Sequence, residues 1–395
     1  MGVYDSVIDS TVLNHLKFGN VDTSDIIFKL FCNVSPAIFW ISSALVIASS
    51  YIGEPIKCMT SKPIAETVCW LHGTYHIDEG ISTEVYGQTC KRSYDTYGKD
   101  LSIDERKADT PYYQWVPFML IIHGLIFLIS GKLWKYFEDG LLEQFGTKKQ
   151  LSKLIEEEEL NKHAEATARR FRALSRNANN RRFFLFLFCE VLNIIALIFN
   201  FCLIDVFLGG RFAAYGSDVV NYSIKKDINA ENPMCSAFPT LTACIFKSGG
   251  VVKDSVDVEN SLCVLSQNII NQKIYLFLWF WMIFLMVAAA LNTIFRLAQI
   301  VVPKMRREAI VAQMNTKKKR GMILYGNNAV TRNCLESNRI GNWFLLWQIG
   351  NNSNPYYFRK FLVSINDNDS RDNTRKLSTA DSENEIVKTP FVENV

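Results

Sequence analysis

Residues 274–295 read IYLFLWFWMIFLMVAAALNTIF, twenty-two positions without one charged side chain, closed off by Lys273 and Arg296. As a helix rising 1.5 Å per residue such a run is about 33 Å long, enough to cross a hydrocarbon core of roughly 30 Å. Three other stretches share the pattern. No charge occurs from Leu30 to Gly53 or from Thr110 to Gly131, and Phe183 to Leu208 is interrupted only by Glu190 and Asp205. The 395 residues are 49% hydrophobic and 13% aromatic yet 21% charged, so apolar and charged residues have segregated into blocks. Four transmembrane helices follow. A soluble core helix has no need of such length.

The first run begins about 30 residues in, has no basic segment before it and is longer than a signal-peptide core, so it reads as a retained anchor. Four spans put both termini on one side, and basic residues say which. Residues 132–182 hold twelve Lys and Arg in 51 positions, whereas 54–109 hold seven in 56 against ten acids. The segment after the fourth run carries Lys304, Arg306, Arg307 and then Lys317 to Arg320. Middle loop and tail are therefore expected in the cytoplasm. The expected organisation is a cytoplasmic N-terminal segment 1–29, spans 30–53, 110–131, 183–208 and 274–300, outer loops 54–109 and 209–273, and a cytoplasmic helical loop 132–182. A cytoplasmic helical region 301–364 and a disordered tail 365–395 complete it.

Six of ten cysteines fall in the two outer loops: Cys58, Cys69 and Cys90, then Cys235, Cys244 and Cys263. An even set in an oxidising compartment reads as a disulfide framework, with fifteen connectivities open. Cys32, Cys189, Cys202 and Cys334 read as small hydrophobes in membrane or cytoplasm. Loops this long are expected to carry short helices and strands pinned by the bridges. Ala65–Cys69 has helical composition, and Leu262–Ile270 suits a strand. The fold class is an all-α membrane protein with two disulfide-pinned outer loops, forming a small α+β region, and a helical cytoplasmic part. Within that part, Leu141–Asn180 has acids early and bases late, as a helix dipole favours. The apolar group Trp343 to Trp347 needs a partner surface.

Enzymatic motifs are absent: no GxxxxGK[ST], HExxH or GxSxG, and no Cys/His spacing for zinc. No catalytic residue, metal site, cofactor or nucleic-acid partner is expected, and membrane lipids are. Glu190 sits about 10 Å deep in its span, where a carboxylate either meets pore water or bonds a neighbouring helix. His123 reads as a pH sensor or as a neutral packing residue. Pro117 and Gly124 break the second span, as a hinge or a static bend. Ser42, Ser43, Ser49 and Ser50 either line water or permit close helix packing.

The second span opens with Tyr112-Tyr113-Gln114-Trp115-Val116, followed by Pro117, and here the chain resembles the innexins. Tyr112, Tyr113 and Trp115 read as an interfacial aromatic belt. Further matching features are YIGEPIKC over 51–58, CWLHGTY over 69–75, Phe238-Pro239 before Cys244, LCVL over 262–265 and LWFW over 278–281. The likeness covers about residues 1–300.

The resemblance implies subunits of a gap-junction channel, assembled around a pore from identical or related innexins. An octameric hemichannel would dock onto another in the adjacent cell at the plasma membrane. It implies the bridges Cys58–Cys263 and Cys69–Cys244. Cys90 and Cys235 depart from the family's four-cysteine pattern and could pair as a third. It also implies an N-terminal helix folded into the pore mouth, where Asp5 and Asp9 would give a ring favouring cations; a solvated amphipathic segment is the other reading. MGVYDS over 1–6 also fits a myristoylation pattern, which would pull that segment towards lipid. Lys317–Arg320 reads as lipid-binding or solvated, and Ser378 follows a basic pair as phosphorylation sites do. Asn221 heads the one glycosylation sequon of the outer loops, and its use would obstruct docking. The alternatives are a non-docking large-pore hemichannel, as pannexins form, and a claudin-like adhesion protein, whose shorter chain and first-loop Trp–Cys–Cys motif are not matched here.

Overall fold

Pro36 has no N–H to give to the preceding turn, and the first span accommodates it with a change of helical register. A π-helical turn occupies Leu30–Val34 inside a helix, α1, running Ile26–Ile52. The Ser35 N–H reaches the Leu30 carbonyl five residues back, and its hydroxyl donates to the same oxygen at 2.8 Å. This computed structural model describes residues 21–60, 62, 64–74, 112–145, 157–174, 176–225, 232–249, 256–314 and 340–365.

The longer of the remaining helices are α2 (Ile64–His72), α3 (Tyr112–Glu138), α4 (Glu157–Ala173), α5 (Arg176–Phe207), α6 (Phe212–Lys225), α7 (Ser266–Val301), α8 (Pro303–Met314), α9 (Ile340–Asn352) and α10 (355–365). Three strands, β1 (Lys57–Cys58), β2 (Leu241–Gly249) and β3 (Val256–Val264), form an antiparallel sheet in the order β1-β3-β2. Helices α1, α3, α5 and α7 contain the four segments long and apolar enough to cross a membrane.

Helices α5 and α7 begin well before their apolar cores. Helix α5 starts seven residues before Phe183, and α7 starts at Ser266, eight before Ile274. The expected strand over Leu262–Ile270 is therefore correct only as far as Val264. At Leu265 the backbone N–H turns back to the Thr240 carbonyl (2.7 Å), and the next residue begins the helix.

The chain divides into two compact units. One comprises residues 27–131 and 191–290. Its interior is aromatic: Phe39 lies 5.7 Å from Phe127 and 5.6 Å from His123 between ring centroids. Several buried polar groups there bond one another, as an apolar surround favours. His123 Nδ1 meets Asn200 Oδ1 at 2.7 Å, so the packing reading of this histidine holds. The Cys32 thiol lies 3.3 Å from the Ser130 hydroxyl and 3.5 Å from Asn193 Oδ1.

Helix α3 continues through Pro117 and Gly124, so neither breaks it. Gly124 admits the Trp40 indole in the space a β-carbon would fill, and a β-carbon at Gly131 would stand 2.8 Å from Cys32 Cβ. Both are close-approach positions. They lie seven residues apart, two helical turns, on one face of α3.

The other unit comprises residues 132–190 and 291–395 with the N-terminal 26. Here the apolar group Trp343 to Leu346 finds the surface it requires within the chain. All four residues are buried on α9, with the Phe344 ring 5.0 Å from Phe186, 5.5 Å from Phe183 and 6.3 Å from Trp134. Trp343 Nε1 donates to the Arg306 carbonyl (2.9 Å), and Asn179 Nδ2 donates to Asn342 Oδ1 (2.9 Å). Helix α10 packs on α4 through Phe361 and Phe171, and Tyr357 donates to Thr167 Oγ1 at 2.9 Å. Burial pushes the Tyr357 phenol above its ordinary range.

The candidate functional site, a disulfide-pinned loop region

Cys58 and Cys263 stand directly opposite each other in the β1–β3 register, and a disulfide joins them across 4.0 Å between Cα atoms. A second disulfide joins Cys69, on α2, to Cys244, on β2, at a Cα separation of 5.8 Å. These are the two pairs that the resemblance implies. They close 205 and 175 residues of chain, so an unfolded chain is strongly restricted, and losing such a bridge costs roughly 2–5 kcal/mol. Cys235 is disulfide-bonded as well, to a partner outside the described residues, where Cys90 also lies. Cys58, Cys69 and Cys263 lie close together but are spent in bridges, so they offer no thiolate to a metal ion.

The bridges sit in a small core with Ile56, Ala65, Tyr113 and Leu265, against which Val68, Trp70 and Tyr112 pack. This changes the reading of the Tyr-Tyr-Gln-Trp-Val motif. Trp115 alone of its aromatic residues is well exposed, at 61%, while Tyr113 is buried at 3%. The Tyr113 ring lies 4.8 Å from Trp70, and Gln114 Nε2 donates to the Trp70 carbonyl at 2.5 Å. Tyr112 contacts Phe207 and Phe238, each 6.4 Å away. The expected three-residue belt is therefore one belt residue and a clamp. Tyr112, Tyr113 and Gln114 hold the top of α3 to α2 and to the 232–240 segment. Val116 is fully buried, and Pro117 presents its carbonyl to the Ser43 hydroxyl at 2.9 Å.

Sequence reasoning missed the other half of this clamp. Gln267, Asn268, Asn271 and Gln272 are all buried on the first turns of α7. Asn268 Nδ2 donates to the Pro239 carbonyl (2.8 Å), and Gln272 Nε2 donates to the Phe238 carbonyl (2.9 Å). The Tyr215 hydroxyl, on α6, donates to the Gln272 carbonyl at 3.1 Å. Spacing i, i+1, i+4, i+5 marks one helical face, which was the available signal.

Ser49 and Ser50 turn to the same helix, with their hydroxyls at 2.7 Å and 3.1 Å from Gln267 Oε1. Ser42 and Ser43 are buried inside the subunit. Burial within the chain is what the packing alternative expects of both. Glu190 likewise bonds neighbours: its Oε1 accepts from Asn292 Nδ2 and from Arg296 Nε, both at 3.0 Å. Asn221 is exposed on α6, whereas Asp5, Asp9 and the myristoylation and phosphorylation sequences lie outside the described residues, as does Lys317–Arg320.

The innexin family model matches residues 24–368 of the chain. Among similar proteins, Innexin inx2 of Drosophila melanogaster is 30% identical, over 89% of this chain and 92% of its own. Innexin inx2 of Schistocerca americana is also 30% identical, over 89% and 94%. Innexin inx3 of Drosophila melanogaster reaches 33% over 72% of each. With four membrane-crossing helices, two disulfides binding its loop segments, and a family match over most of its length, the chain belongs to the innexin family.

Proposed function

We propose that this innexin is a subunit of a gap-junction channel that passes ions and small metabolites between adjacent cells, and that it performs no enzymatic reaction. The observation that carries the reading is the family match over residues 24–368 together with a loop region cross-linked between its two halves. A rim that meets a second hemichannel must hold its shape without a partner, and covalent cross-links supply that stiffness.

Four helices are too few to enclose a wide pore, so the pore arises at a symmetry axis where identical or related subunits close a ring of eight. Both termini stand in the cytoplasm, which the Lys and Arg excess of 132–182 supports. Asp5 and Asp9 ring the pore mouth and favour cations, and Cys90 closes a third bridge with Cys235. A non-docking hemichannel is the second reading, and the exposed Asn221 favours it, since a glycan there would hold facing membranes apart.

Paired-cell conductance measured beside single-cell dye uptake tests the proposal. Coupling between expressing cells is expected. Dye uptake without coupling selects the hemichannel, and neither signal, with normal surface delivery, rejects a channel.

A further inference from the structure

The two oxygens of the Glu190 carboxyl are treated very differently by the chain around them. Oε1 accepts from Asn292 Nδ2 and from Arg296 Nε, each at 3.0 Å. Oε2 is buried and has no hydrogen-bond partner among the described residues. The whole residue is 8% exposed, on the membrane-crossing helix α5. A buried carboxylate oxygen without a partner is costly, and folded proteins seldom keep one.

The electrostatics of the site point the same way. Arg296 brings one positive charge to two acids. Its Nε meets Glu190, its Nη2 is ion-paired with Asp25, and its Nη1 donates to Gln299 Oε1 at 3.1 Å. The guanidinium also lies 5.4 Å from the Phe186 ring centroid and 5.5 Å from that of Trp347. In a site this enclosed, bulk water screens little. Arg296 and Asp25 are the charged groups that act on Glu190, the first from α7 and the second from the residue before α1. A guanidinium shared between two acids gives Glu190 less than a full counter-charge, where an uncompensated charge is hardest to keep.

We propose that Glu190 Oε2 is a binding site for one further unit of positive charge, a proton or an alkali cation. Either source acts through the same chemistry, neutralising the carboxylate at the oxygen that the protein leaves unmatched. A proton comes from water and forms an O–H bond at Oε2, whereas a sodium or potassium ion lies against that oxygen. Asn292 and Arg296 keep Oε1 occupied in both cases, so the charge enters at Oε2. Bound there, it lets Arg296 serve Asp25 and Glu190 together and fastens α5 to α7 and to the start of α1.

The test uses the full chain in detergent. Infrared difference spectra of wild type against Glu190→Gln at neutral pH look for the proton: a protonated-carboxyl C=O band present in wild type and lost in the variant supports it. Thermal midpoints in sodium, in potassium and in a large organic cation, at equal ionic strength, look for the ion. A wild-type midpoint raised by an alkali cation, with that rise lost in Glu190→Gln, supports the cation. Wild type with neither signature, or a Glu190→Gln variant that retains the one found, overturns the proposal. Should Glu190→Gln fail to assemble, Asp25→Asn returns the whole guanidinium charge to Glu190. The carboxyl band or the alkali dependence is then expected to diminish, and an unchanged signal overturns the proposal as well.

Discussion

Arg296 holds two carboxylates, Glu190 and Asp25, in a site where its own side chain is 4% exposed. Two aromatic rings flank the guanidinium, a geometry that guanidinium suits and ammonium does not. Arg296→Ala would leave Glu190 buried and Asp25 half-buried without a counter-charge, at a cost of about 3–5 kcal/mol. A marked fall in the thermal midpoint of the detergent-solubilised protein is expected; a wild-type midpoint would show that the cluster contributes nothing. Glu190→Gln should cost less, because an amide oxygen still accepts from Asn292 and Arg296. Gly131, by contrast, has its role decided by one neighbour, Cys32. A valine there meets Cys32, and overpacking of about 1–3 kcal/mol should lower surface yield, while alanine should be intermediate.

Among the elements, α7 does two jobs. Its middle is apolar and suited to lipid, whereas its first two turns are amides that bond carbonyls of the 238–239 segment. Replacing Asn268 or Gln272 by leucine keeps the bulk and leaves a carbonyl unsatisfied, at roughly 1–3 kcal/mol each. Both variants should be retained inside the cell, with a raised free-thiol content measured by alkylation under non-reducing conditions. Normal oxidation and delivery would mean these amides are incidental. The π turn in α1 belongs to the same scale. Where Pro36 cannot donate, the helix shifts its bonding to five residues back and stays continuous.

For the whole molecule, the bridges decide whether two loop segments separated by a long stretch of chain behave as one body. Peptide mapping without reduction should recover Cys58–Cys263 and Cys69–Cys244, together with a peptide linking Cys235 to Cys90. Recovery of Cys58–Cys69 would contradict the structure, and Cys235 joined to any other cysteine would remove the third bridge. Cys58→Ser and Cys263→Ser should each abolish coupling, and the double variant should be no worse than either single one, since both delete the same bond. Solubilised in mild detergent, the protein should appear as rings with a central hole, some stacked end to end. Monomers or dimers would sink the assembly.

The four spans were legible in the sequence, because length and the absence of charge are properties of the chain alone. Composition likewise marked α2 and the cytoplasmic helices, and the motif around Tyr112 carried the family. Direction came from packing. Each of Ser42, Ser43 and Glu190 had an inward and an outward reading, and a one-dimensional pattern cannot say which face of an apolar helix meets protein and which meets lipid or water. The same limit hid the amide clamp of α7: Gln267 and Asn268 fall within the expected strand over Leu262–Ile270, and the carbonyls that Asn268 and Gln272 bond lie 29 and 34 positions away in the chain. Packing, not propensity, turned Tyr112 and Tyr113 away from the membrane interface and onto the disulfide core.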